Sequence, residues 1–174
     1  MDVFEAVKVR KSVRAYEDKP VPDDVLSRIL ESARISPSAA NYQPWHFVVV
    51  RDAGLRKALS EGMWAKFLKE APVVIAGCGD KKASPDWCTV DTTIALQTMV
   101  LTATGEGLGT CWVGSFDEEK VKGLLKIPAN YEVVCLLAMG FERKSLGLVH
   151  KLVGKKRKAL SEIASLDEYG KPIV

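Results

Sequence analysis

The chain has 174 residues, of which 47% are hydrophobic and 27% are charged. This balance excludes an intrinsically disordered protein and is enough for one domain with its own hydrophobic core. The net charge of +3 is too small to indicate a nucleic-acid-binding protein by itself. Because no apolar run approaches the roughly 20 residues of a membrane-spanning helix, we expect one cytoplasmic domain over residues 1–174, without membrane attachment.

The predicted elements alternate between helices and short buried strands. A first helix, from Asp2 to Arg10, begins with a capping aspartate, and a second, over 21–36, carries a regular apolar face. Further apolar patterns predict strands at 46–52, 72–78, 110–116 and 132–141, and helices at 52–60, 63–70, 90–104 and 117–125. This order predicts an α/β or α+β fold in which helices flank one sheet.

The first candidate site is the segment "RKSVR" at residues 10–14. In an extended chain Arg10, Ser12 and Arg14 would lie on one side. Two guanidinium groups and a hydroxyl are well suited to bind a phosphate. The same residues also fit a solvated helix end, where cations face the helix dipole favourably. The five residues alone leave both interpretations open.

The second candidate site is the loop "PSAANYQPW" at residues 37–45. Prolines stiffen it, while its amide side chains offer both donors and acceptors. This combination suits the edge of a planar heterocycle that carries N–H and C=O groups. A purely structural loop that leads into the next strand is the alternative.

Other motifs narrow the chemistry. "GEGLGT" at 105–110 follows a predicted helix and precedes a strand, so it indicates a helix end and a turn rather than a dinucleotide-binding loop. The four cysteines lack metal-ligand spacing, and neither histidine lies in a nucleophile motif, so we expect no metal site and no protein nucleophile. Arginines suited to phosphate without an acid, base or nucleophile favour an enzyme whose organic cofactor supplies the chemistry.

Four motifs occur in order along almost the whole chain: "RKSVRAY", "PSAANYQPWHFVVV", "LGTCWVGSF" and "KKRKAL". Together they resemble those of the FMN-dependent nitroreductase-like flavoproteins. The resemblance implies an α+β fold with a central mixed, mostly antiparallel sheet wrapped by helices. It also implies an intertwined homodimer that binds two FMN molecules at the interface between its subunits.

The resemblance further implies which residues bind FMN. Arg10, Ser12 and Arg14 would bind the phosphate and ribityl chain, with Lys11 near the pyrimidine side. The C-terminal basic cluster would complete the phosphate site, with Arg157 the first choice and Lys158 the second. The residues implied to line the isoalloxazine ring are Pro37, Ser38 and Ala39 of the partner subunit, Asn41 and Gln43 near the ring or substrate, and Trp112, Val113, Gly114 and Ser115, which present backbone N–H groups toward N5 and O4.

The implied activity is that of an NAD(P)H-dependent FMN oxidoreductase with a ping-pong mechanism. NADH or NADPH would pass a hydride to flavin N5, and a small electrophilic acceptor, such as a nitroaromatic or a quinone, would then take the electrons. A flavin-binding carrier or sensor without turnover is a second hypothesis. A nucleic-acid binder that uses the two basic regions is a third, but the chain lacks a helix-turn-helix or RNA-binding signature.

Overall fold

The computed structural model describes residues 1–62, 65–143 and 157–173. The chain forms two compact units, Met1–Lys144 and Ser145–Val174. No helix in the described ranges is long and apolar enough to cross a membrane. The first unit contains the helices α1 (Val3–Val9), α2 (Asp23–Arg34), α3 (Ala53–Leu59), α4 (Cys88–Gly105) and α5 (Glu118–Leu125), and the strands β1 (Trp45–Val50), β2 (Val73–Asp80), β3 (Gly109–Val113) and β4 (Tyr131–Gly140).

One four-stranded sheet organises the first unit. Its strand order is β1-β2-β4-β3, and all three neighbouring pairs are antiparallel. The central strands β2 and β4 are almost entirely buried, which explains their continuous apolar sequences. A parallel bridge between Ser12 and Thr110 continues the pairing beyond β3. The α+β fold with a mixed, mostly antiparallel sheet is therefore confirmed.

The hydrophobic core lies on both faces of this sheet. On one face, α2 and α4 bury Leu26, Ile29 and Leu96 against the strands. On the other face, Leu59 of α3 and Val121 of α5 pack against the sheet. The helix α1 packs on α4. Helices thus cover both faces and leave the strand ends and connecting loops to carry polar residues.

Local sequence signals place most element boundaries. Asp2 caps α1 by accepting a hydrogen bond from the Glu5 N–H at 2.8 Å, and Asp52 caps α3 in the same way. Because Asp52 starts a helix, β1 ends at Val50 rather than at residue 52. The turn after α4 contains Gly107 at φ 77°, in the left-handed region that glycine favours. The predicted helix end at "GEGLGT" is confirmed.

Two predicted elements differ from the structure. The strand expected over 110–116 ends at Val113, because the chain turns at Gly114 and Ser115 before Asp117 caps α5. In the stretch predicted as a helix over 63–70, the described residues form a short 3-10 helix, Lys66–Lys69. Residues 63 and 64 lie outside the described residues.

The described part of the second unit, residues 157–173, is short and mostly exposed. Its regular element is the 3-10 helix Leu160–Glu162, where the Glu162 carboxylate accepts a hydrogen bond from the Ala159 N–H at 2.7 Å. A single domain over residues 1–174 stays a prediction.

Candidate functional site

The segment at residues 10–14 leaves α1 and runs along the outer edge of β3. Arg10 ends the helix, with its N–H donating to the Ala6 carbonyl. Ser12 then bridges Thr110 in parallel, and the Val13 N–H donates to the Thr110 carbonyl at 2.8 Å. The segment is therefore held to the sheet rather than free in solvent.

The three side chains predicted to bind phosphate come together near one thiol of β3. Burial raises the pKa of the Cys111 thiol, while the positive charges of Arg14 and Arg10 and the hydroxyl of Ser12 act in the opposite direction. Ser12 bridges Thr110, the residue before Cys111, so the alternating residues Arg10, Ser12 and Arg14 lie along the start of β3. Arg14 is exposed, and Arg10 and Ser12 are half-buried, so this cationic cluster is open to a ligand from solvent.

Two contacts fix the backbone beneath this cluster. The buried Tyr16 hydroxyl donates to the Val13 carbonyl at 2.7 Å, and burial raises the pKa of that phenol. Val13 also packs directly on Gly109, where an added Cβ would lie only 2.5 Å from Val13 Cγ2. Tyr16 was not among the predicted site residues. Its position inside the motif "RKSVRAY" is the signal that could have identified it.

The Lys11 side chain is paired with an acid. Its Nζ forms an ion pair with Glu142 Oε2 at 2.7 Å, and both side chains are partly exposed. In this arrangement the backbone of Lys11, rather than its ammonium group, is the part available to a ligand beside Arg10 and Arg14.

The loop at residues 37–43 is strained. Ala40, Asn41 and Gln43 have φ angles of 44°, 57° and 49°, in the left-handed region that non-glycine residues rarely occupy. Each such residue costs on the order of 1–3 kcal/mol and persists only when its surroundings impose the conformation. Within the loop, the Ser38 hydroxyl accepts from the Gln43 N–H at 2.9 Å, and the Gln43 amide donates to Asn41 Oδ1 at 3.0 Å.

Two further bonds attach this loop to the rest of the fold. The Asp80 N–H donates to the Pro44 carbonyl at 2.7 Å, which joins the loop to the end of β2. The Ala39 N–H donates to the carboxylate of Asp91 in α4, at 3.2 Å from each oxygen. Asp91 was not among the predicted site residues. The signal was that no other charged residue occurs in α4.

The third predicted group follows β3. Trp112 is half-buried and Val113 is buried in the core, whereas Gly114 and Ser115 are exposed where the strand ends. Among the described residues, and apart from the chain neighbours of Gly114, no heavy atom lies within 4 Å of the position that a Cβ of Gly114 would take. The backbone at this turn is therefore the accessible part of the group.

The sheet register shows which groups lie near one another. Thr110, beside Ser12, is four residues from Gly114, which is roughly 13 Å along an extended strand. Trp45, which follows the loop, pairs with Gly79 of β2, and Gly79 pairs with Glu132 at the start of β4. Thr110 of β3 pairs with Met139 of β4. Met139 is seven residues after Glu132, which is roughly 23 Å along β4. The loop at 37–43 therefore lies at the opposite end of the sheet from the arginine cluster.

The predicted C-terminal phosphate ligands lie in the second unit. Arg157 and Lys158 are both exposed. The neighbouring Lys155 and Lys156 lie outside the described residues. Completion of the phosphate site by Arg157 or Lys158 stays a prediction. Across the ranges that the structure covers, no three His, Cys, Asp or Glu side chains are grouped to hold a metal ion.

Comparison with known proteins identifies the family. The model of the Nitroreductase family matches residues 7–73 and 56–141, a span that includes the arginine cluster, the strained loop and the turn after β3. The chain belongs to the Nitroreductase family. The nitroreductases are oxidoreductases and are typically flavin-dependent. The resemblance seen in the sequence motifs is thereby confirmed.

Individual nitroreductase relatives extend this similarity to most of the chain. A protein of Methanothermobacter thermautotrophicus named "Putative NADH dehydrogenase/NAD(P)H nitroreductase" is 35% identical over 154 residues, which cover 84% of this chain and 81% of the relative. A nitroreductase family protein of Clostridium difficile 630 superposes with a TM-score of 0.83 at 32% identity, over 97% of this chain and 99% of that one. An FMN-dependent nitroreductase of Clostridium difficile R20291 superposes with a TM-score of 0.80 at 26% identity, over 95% and 99%.

Proposed function

We propose that this protein is an FMN-dependent oxidoreductase that transfers a hydride from NADH or NADPH, through flavin N5, to an electrophilic acceptor such as a nitroaromatic or a quinone. The mechanism is ping-pong, so that both substrates use one site in turn. The observation that carries the proposal is the placement of Arg10, Ser12 and Arg14 at the start of β3, where Ser12 bridges Thr110, in line with the open turn at Gly114 and Ser115 at the end of that strand.

The side chains of this cluster suit the phosphate of FMN. A guanidinium group presents paired N–H donors that match phosphate oxygens, and the Ser12 hydroxyl adds one donor. The cluster lies at the start of β3 and the open turn at its end, roughly 13 Å apart. A ligand lying along this edge can place its anionic end at the arginines and its ring at the turn.

The chain's own contribution is to bind and orient. FMN, when bound, supplies the hydride chemistry at N5. The backbone N–H groups of Gly114 and Ser115 would hold the ring edge at N5 and O4, as donors that favour negative charge there. The absence of a side chain at Gly114 leaves room for the ring to approach this backbone.

A second copy of the chain completes the site in this proposal. The loop at 37–43 precedes β1 and the turn at Gly114 follows β3, and these strands form opposite edges of the sheet, so the ring of one FMN would be covered by Pro37, Ser38 and Ala39 of the partner subunit. An exposed apolar surface on α1 and α4 supports a homodimer, since such surfaces mark interfaces. It is formed by Val3, Phe4, Val7, Trp87, Val90 and Ile94.

The visible spectrum of the purified protein tests the proposal most directly. We expect a yellow protein that is bleached anaerobically by NADH or NADPH and recovers its colour when menadione or a nitroaromatic is added. A colourless protein that takes up no FMN on reconstitution would refute the proposed function. Bound FMN without reduction by either nicotinamide would instead support a carrier or sensor.

A further inference from the structure

Asp91 is a buried carboxylate, and its hydrogen-bond partner belongs to the candidate site. Its side chain is only 3% exposed and lies in the first turn of α4, a helix with no other charged residue. Burial of a carboxylate is costly unless hydrogen bonds compensate it. A carboxylate at this position therefore needs a reason other than packing.

The hydrogen bonds of Asp91 supply that reason. Both carboxylate oxygens lie 3.2 Å from the Ala39 nitrogen, and Ala39 is 52 residues away in sequence. Ala39 is the first residue of the 3-10 turn in the loop at 37–43. The dipole of α4 also favours a negative charge in its first turn. One side chain of a rigid helix thus holds the start of the strained loop.

The loop needs such an anchor because its conformation is unfavourable in isolation. The three left-handed residues Ala40, Asn41 and Gln43 follow directly after the Ala39 bond. The other bonds of Ser38, Asn41 and Gln43 lie within the loop itself and cannot fix its position on the fold. Among the described residues, two hydrogen bonds join this loop to other elements: the Ala39–Asp91 bond at its start and the Asp80–Pro44 bond just after its end.

We propose that Asp91 is a positioning residue that holds the loop at 37–43 in the conformation that covers the flavin ring of the partner subunit. This inference rests on the proposed function. Asp91 does not contact the flavin or the substrates and acts only through the Ala39 backbone. The residue sets the height of Pro37, Ser38 and Ala39 over the ring, and hence the geometry of hydride transfer.

The first experiment needs no flavin. Asp91→Leu replaces the acceptor by an apolar side chain, and Asp91→Asn keeps one acceptor oxygen. Asp86→Leu is the matched control because Asp86 is exposed just before α4. In the flavin-free protein we expect hydrogen exchange of the Ala39 amide to rise about tenfold or more in Asp91→Leu. Asp91→Asn and Asp86→Leu should stay within about threefold of wild type. Unchanged Ala39 exchange in Asp91→Leu overturns the proposal.

The second experiment uses the flavin-loaded protein at matched FMN content. We expect Asp91→Leu to shift the visible flavin spectrum and to lower kcat about tenfold, with KM for the nicotinamide within about threefold, since the binding groups are intact. Asp91→Asn should restore both. A purely structural role would lower the melting temperature of Asp91→Leu without changing spectrum or kcat, and that result also overturns the proposal.

A variant on the loop side covers the case in which Asp91→Leu does not fold. Ala39→Pro removes the same N–H donor, and Ser38 already has the extended backbone, φ −143° and ψ 158°, that precedes proline readily. It should reproduce the spectral shift and the fall in kcat, and unchanged values overturn the proposal. A colourless wild type refutes the proposed function itself, whereas a yellow, active wild type with an unaltered Asp91→Leu spectrum refutes only this inference.

Discussion

Replacement of Arg14 by alanine tests the phosphate site at one side chain. Arg14 is exposed, and the structure shows no ion pair for it among the described residues. Its truncation should therefore change the free energy of unfolding by no more than about 0.5 kcal/mol. A charge-assisted hydrogen bond to phosphate contributes on the order of 1.5–3 kcal/mol. Since about 1.4 kcal/mol corresponds to a tenfold change, the Kd for FMN should rise about 10- to 140-fold.

The assay is a titration of flavin-free protein with FMN, followed by quenching of flavin fluorescence at fixed ionic strength. Arg34→Ala is the matched control, because Arg34 is an exposed arginine on α2 that pairs with Glu31 and lies outside the predicted site. It removes the same charge, so the difference between the two variants reports contact rather than net charge. Arg14→Lys should give an intermediate Kd, since it keeps the charge and loses the paired donors.

Equal FMN affinity in Arg14→Ala and Arg34→Ala would show that the phosphate binds elsewhere. The same conclusion would follow if riboflavin, which lacks the phosphate, lost as much affinity as FMN in Arg14→Ala. An affinity loss confined to FMN supports the assignment. A large loss of stability in Arg14→Ala would contradict the structural reasoning in a different way, because it would reveal a partner for this side chain.

Three further outcomes are expected. Tyr16→Phe leaves the Val13 carbonyl without its donor, so it should lower the free energy of unfolding by about 1–2 kcal/mol, measured by urea denaturation. An unchanged free energy would contradict this hydrogen bond. Burial raises the pKa of Cys78 to about 11 from its usual 9.0, so the contribution of this thiol to stability should be fully present below pH 9 and fall by up to about 2.7 kcal/mol toward pH 11. Cys78→Val should reduce that decline. If stability falls with pH as steeply in Cys78→Val as in wild type, the decline does not come from this thiol. Ile94→Glu, on the exposed apolar surface of α4, should shift the proposed dimer toward monomer by light scattering.

Most of the fold could be predicted because its signals are local. Asp2 and Asp52 start helices where short polar side chains accept backbone N–H groups, and both caps occur in the structure. The buried strands β2 and β4 are continuous apolar runs, which only a central position in the sheet produces. The errors concern strand and helix ends, as at Gly114 and in the stretch 63–70, where no cap or apolar pattern defines the boundary.

The candidate site could be predicted only in part. The residues of "RKSVR" share a short segment, so their alternation predicted that Arg10, Ser12 and Arg14 act together. The bond between Asp91 and Ala39 spans 52 residues, and the pattern of neither segment indicates the other. The strain at Ala40 is equally hidden, since alanine gives no sign of a left-handed backbone. Sequence patterns do not predict contacts that depend on how distant elements pack.

The arrangement of the sheet links flavin binding to assembly of the proposed dimer. Each chain carries the arginine cluster and the Gly114 turn along β3, at one edge of the sheet, and the loop at 37–43 beside β1, at the other edge, so a single chain offers two half-sites. A twofold axis that joins the cluster of one chain to the loop of its partner completes both sites at once. A ligand that binds only completed sites stabilises the dimer by mass action. FMN should therefore tighten the dimer, and dilution into monomers should release FMN.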